Sequence, residues 1–142
     1  KMATNKIHTT NYSNTLIELA EDCPVASSEI PTMKGDKPTV ATMQFELISK
    51  HPYTLTSDDV IFRIYADKND LIPSEYEAAR TVFFSKGQPC LRTSPLAKRY
   101  GFGIHANDEG KIALYGIETE AYQQLLKDEN VTKVKAMRSA RK

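Results

Sequence analysis

Apolar positions along the chain fall into short blocks of differing period. From Thr15 to Ala20 the β-branched and apolar residues crowd too tightly for a surface helix, and adjacent Leu16 and Ile17 predict a central strand covered on both faces. Residues 23–37 carry Pro and Gly among several Ser and Thr and read as a long loop. Pro38 suits the first turn of a helix capped by Asp36 or Lys37. Val40, Met43 and Leu47 follow at spacings of three and four up to Lys50, with Phe45 and Ile48 widening the stripe. Val60, Phe62, Ile64 and Ala66 alternate with Ile61, Arg63 and Tyr65, the period of a strand.

Ser74 and Glu77 form a capping-box pattern ahead of Tyr76, Ala79 and Phe83, predicting a helix that stops at Gly87. Residues 89–93 read as a short strand, and Ser94 with Pro95 opens a helical turn through Tyr100. The stretches 102–106 and 111–115 flank a turn composition, Asn107 to Gly110, and predict a β-hairpin. Glu118 or Thr119 caps a last helix with Tyr122, Leu125 and Leu126 on its core face, ending near Asp128. Residues 131–137 form a final strand. This order predicts an α+β fold: a mixed or mostly antiparallel sheet of five to six strands with three main helices packed on it. A doubly wound α/β fold is the alternative. Residues 1–10 read as a flexible arm, 11–137 as one domain and 138–142 as a basic tail.

Composition narrows the function classes. Nineteen Lys and Arg against eighteen Asp and Glu give a net charge of +1, so no global field recruits nucleic acid or an anionic membrane. The tail from Lys133 to Lys142 is basic but lacks aromatic residues for base stacking; a solvated terminus is the simpler reading. No apolar run approaches the roughly 20 residues that span a bilayer, and the polar start lacks the core of a secretory leader. Two cysteines are too few for a disulfide framework or a Cys-based zinc site, which fits a reducing cytoplasm. His8, His51 and His105 are scattered, and neither a metal nor a cofactor is expected.

Chemistry concentrates in one stretch. Cys90, with Arg92, Arg99 and His105 to lower its pKa, is a candidate nucleophile with His105 as base. Against that stands the ordinary role of a lone cysteine as a small buried hydrophobe. Arg92, Lys98, Arg99 and Tyr100, beside a helical turn at Pro95, are candidate ligands for a phosphate or carboxylate, although a solvated basic face explains them too. Gly101 and Gly103 lack the third glycine of a dinucleotide motif. Glu18, Glu21 and Asp22 read as exposed charges at a strand end.

Three segments together, TTNYSNTLIELAEDCP at 9–24, FFSKGQPC at 83–90 and SPLAKRYGFGIHANDEGKIALYG at 94–116, resemble a bacterial family of unknown function, DUF6157. That resemblance implies a small free-standing bacterial protein and carries no activity, cofactor or catalytic residue with it. The hairpin segment is also similar to small α+β domains of the YdhG and YjbR type, which supports the fold class alone. The expectation is therefore a binding domain for a small anionic ligand. A thiol-dependent enzyme using Cys90 and His105, and an interaction module or homodimer, are the alternatives.

Overall fold

Leu16 and Ile17 point to opposite faces of the first strand, β1 (Thr15–Glu18), yet they are only 0% and 3% exposed. A strand buried in this way needs a layer on each side. The computed structural model, which describes residues 7–140, contains both layers. On one side of β1 runs β2 (Phe102–Ala106), antiparallel, with Ile17 opposite Ile104; on the other runs β4 (Thr132–Lys135), parallel, with Ile17 opposite Val134. β3 (Ile112–Gly116) completes the hairpin with β2. The result is one mixed sheet of order β3-β2-β1-β4 with β1 central.

The first face carries Ile17, Phe102, Ile104, Ala106 and Ile112. It is covered by Ile48 of α1 (Val40–Lys50), Val60 and Ile64 of α2 (Ser57–Lys68), and Leu96 and Ala97 of the short α4 (Pro95–Lys98). The second face carries Leu16 and Tyr115 beneath α5 (Glu120–Lys127), whose Tyr122, Leu125 and Leu126 close a smaller cluster with Val131. Gly103 is where α5 lies directly on the sheet, since a Cβ there would collide with the Tyr122 ring. A fifth helix, α3 (Tyr76–Phe83), packs outside α2. The fold is α+β, with four strands and five helices among the described residues. No helix among them is long and apolar enough to cross a membrane.

Two expected strands are helical, which lowers the expected five or six to four. Residues 60–66 belong to α2, and their alternation has a helical cause. Val60 and Ile64 are one turn apart and face the sheet, while Phe62 and Ala66, one turn apart on the opposite side, join Phe84 in a third cluster. A helix buried on two sides thus imitates period two. Its start is set by a capping box: Thr56 Oγ1 accepts from Asp59 N at 3.1 Å, and Asp59 Oδ2 accepts from Thr56 N at 2.9 Å. Residues 89–93 likewise form no strand, because Leu91–Thr93 is a 3-10 turn.

Helix boundaries also move. α1 is capped by Thr39, which leaves Pro38 outside the helix. α3 follows a 3-10 turn, Pro73–Glu75, in which Glu75 Oε1 accepts from Ile72 N at 2.9 Å, and it ends at Phe83, short of Gly87.

Of the stretch expected as an arm, residues 1–6 lie outside the described residues. From His8 onward the chain is tied down: His8 N donates to Phe84 O, and Asp58 accepts from Thr9 Oγ1 and from Thr10 N, each at 2.7 Å. At the other end Arg138 meets Glu21 at 3.2 Å, and Asp22 accepts from the backbone of Ser139 and Ala140. The basic residues Arg141 and Lys142 lie outside the described residues. Replacing Gly103 with Ala forces Tyr122 off the sheet, and urea denaturation should register a loss of about 1–3 kcal/mol. An unchanged midpoint would mean that α5 does not rest there.

Candidate functional site

The six residues singled out by sequence lie in several separate places. Cys90 precedes the Leu91–Thr93 turn and is partly buried, its sulfur 3.5 Å from the Tyr12 hydroxyl. Tyr12 and Leu91 line a small internal gap together with Ile17, Ile104 and Ile112, so the thiol lies on the α1/α2 side of the sheet. Burial pushes the Tyr12 phenol up, and its hydrogen bond with Cys90 adds to the shift.

His105 lies on β2 between Ile104 and Ala106. Both of those side chains turn toward α1 and α2, so the His105 ring turns toward the α5 face. There its Nδ1 is 2.7 Å from the Tyr53 hydroxyl, which is in turn 2.6 Å from the Tyr115 hydroxyl. The sheet therefore stands between Cys90 and His105, and the proposed nucleophile and base are not brought together.

Tyr53 reaches this face from the loop after α1. Its amide donates to Ile112 O at 2.8 Å, which lays the loop along the edge of β3, and its backbone is left-handed at φ 55°. Such a conformation is uncommon for a bulky residue and is held here by the amide's bond to Ile112 O and by the hydroxyl's bonds to His105 and Tyr115. Burial raises the Tyr53 phenol pKa, and the bond to Tyr115 adds to it. Burial lowers the His105 pKa from its ordinary 6.5, with the Asp128 carboxylate opposing.

Arg92 lies at another place. Its Nε donates to Lys135 O at 2.6 Å, and its carbonyl accepts from Met137 N, which binds the 3-10 turn to the segment leaving β4. A cleft of about 510 Å³ opens there, lined by Glu21, Arg92 and residues 135–140. Arg138 is fixed at its rim, Nη1 on Glu21 Oε1 and Nε on Ala140 O.

Lys98 and Arg99, at the end of α4, do not line this cleft. Tyr100 packs against the main core, and its carbonyl accepts from Glu29 N. Of the four expected anion ligands only Arg92 is at the cleft, joined by Lys135 and Arg138. Those two belong to the basic tail that sequence assigned to solvent. Their signal was charge alone, because the parallel pairing of β4 with β1 is what carries them to Arg92.

A protein-family model described as a family of unknown function (DUF6157) matches residues 7–142. The chain belongs to this family. No curated protein and no solved structure matches it. Membership in DUF6157 assigns neither an activity nor a ligand, so the chemistry of the site has to be argued from the geometry above.

The lowered His105 pKa fixes the sign of a stability effect. The unfolded chain takes up a proton near the ordinary 6.5, and the folded chain does so only at lower pH. This contribution is therefore intact above that value and is lost as pH falls through and below it. Urea denaturation at a series of pH values should show that decline, and His105→Gln should flatten it. An equal decline in the variant would place its cause elsewhere.

Proposed function

We propose that this protein binds a small organic anion in the cleft between the Leu91–Thr93 turn and the segment that follows β4. The supporting observation is that two guanidinium groups face one cleft, each anchored by its own Nε on a backbone carbonyl, Arg92 on Lys135 and Arg138 on Ala140. Anchoring restricts these long side chains before any ligand arrives. The terminal nitrogens of Arg92, which form no bond to a described residue, are left for a carboxylate or phosphate. Lys135 adds positive charge, and Glu21 cancels part of it, which favours an anion of low charge.

A volume of about 510 Å³ suits a metabolite-sized molecule, and Ala136 and Met137 give one wall an apolar character. The ligand in this reading combines an acidic group with a small apolar part. Both thiols are free, in keeping with our assignment of the protein to a reducing cytoplasm.

The other two readings have less support. A thiol-dependent mechanism would need His105 as base, and the sheet stands between His105 and Cys90; the Cys90 sulfur meets the Tyr12 hydroxyl instead. Association through the open edge of the sheet would use β4, whose Lys133 and Lys135 discourage strand pairing.

Titration calorimetry with inorganic phosphate and with succinate tests the proposal. One of them should bind, Arg92→Ala should weaken it by about tenfold, and Arg99→Ala should leave it unchanged. Equal affinity in the wild type and the Arg92 variant would remove the cleft from consideration.

A further inference from the structure

We propose that His105, Tyr53 and Tyr115 form a second site, on the α5 face, at which the His105 Nε2 accepts an acyl group from an uncharged activated ester. The geometry has three parts. Nδ1 is engaged by Tyr53 at 2.7 Å, and Tyr53 by Tyr115 at 2.6 Å, a continuous chain of exchangeable protons. Nε2 has no partner among the described residues, yet none of their buried side-chain nitrogens or oxygens is left without one, so Nε2 meets solvent. The ring is held edge-on to both tyrosines, at 82° to Tyr53 and 70° to Tyr115, which fixes where Nε2 points.

A neutral imidazole with one nitrogen anchored and the other open is a nucleophile and base near neutral pH. Its low proton affinity agrees with that state. Nucleophilic use of Nε2 leaves an excess proton on Nδ1, and the tyrosine chain provides its exit. In the reacting tautomer Nδ1–H donates to Tyr53, Tyr53 to Tyr115, and Tyr115 to water. As the Nε2 lone pair bonds to the acyl carbon, the ester C–O bond breaks and its oxygen leaves with the electron pair. The Nδ1 proton passes to Tyr53 while the Tyr53 proton passes to Tyr115 and the Tyr115 proton to water, leaving a neutral acyl-imidazole. Water then attacks the acyl carbon, the C–N bond breaks, and a proton returns along the chain to Nδ1.

The surroundings select the donor. Asp128 acts on the charge of His105 and repels an anionic phosphoryl donor. Tyr115, Leu125 and Leu126, the partly buried side chains packed on the Leu16, Tyr122 and Val131 cluster, leave apolar surface on this face, which suits an uncharged acyl chain. Lys133, on the strand beyond Leu16, turns its ammonium to the Asp128 carbonyl. This site lies on the α5 face, away from the Arg92 cleft, and neither proposal depends on the other.

The probe is p-nitrophenyl acetate at a pH slightly above neutral. Wild-type protein should release nitrophenolate roughly tenfold faster than His105→Gln. Peptide mass spectrometry of wild-type protein, which does not depend on how any variant folds, should find acetyl on His105 ahead of His8 and His51. Tyr53→Phe and Tyr115→Phe keep the rings and interrupt the proton path, so each should slow release by roughly tenfold and abolish its solvent deuterium isotope effect. Equal labelling of the three histidines, or a Gln variant as fast as wild type, would overturn the site. Phe variants with unchanged rate and isotope effect would overturn the relay.

Discussion

On β1, Leu16 and Ile17 are neighbours in the chain and exclude water on opposite faces of one sheet. Each such burial contributes roughly 1.5–3 kcal/mol, and the other elements are arranged to supply the apolar surface these two residues need. α1, α2 and α4 cover Ile17; α5 covers Leu16. With both faces occupied, the sheet becomes a partition. Every strand residue is committed to one compartment by its parity, and no rotamer change takes it to the other.

That partition organises the chemistry. Cys90, brought to the α1/α2 side by the turn before α4, shares its surroundings with Tyr12, whereas His105 shares the α5 side with two tyrosines. Proximity in sequence suggested a pair, and parity on β2 separates it. The parallel alignment of β4 with β1 has the opposite effect at the end of the sheet. It carries Lys135 and Arg138 from the last part of the chain to Arg92 and Glu21, and two arginines 46 positions apart in number come to edge one cleft.

Much of the fold was legible because local pattern and tertiary role agree in β1, α1, the β2–β3 hairpin, α5 and β4. They disagree in α2. Alternation at Val60, Phe62, Ile64 and Ala66 is produced equally by a strand with one wet face and by a helix packed between two clusters, and the periodicity contains nothing that separates the cases. The TSDD sequence ahead of it does, since Thr56 and Asp59 cap each other there. Arg92 and His105 were legible as single residues of chemical interest. Their partners were not: Tyr53 joins His105 through a left-handed loop residue 52 positions away, a placement set by the Tyr53 amide reaching Ile112 O. Lys98 and Arg99 looked equivalent to Arg92 in composition, and only the direction in which α4 ends distinguishes them.

We propose that anion binding belongs to the Arg92 cleft. The most direct measurement is a proton–nitrogen NMR titration of the isotope-labelled protein with phosphate and succinate in turn. Shifts should concentrate at Glu21, Arg92 and residues 135–140 and leave Lys98, Arg99 and the β2–β3 hairpin in place. Shifts centred on Lys98 to Tyr100, or none with either anion, would contradict it.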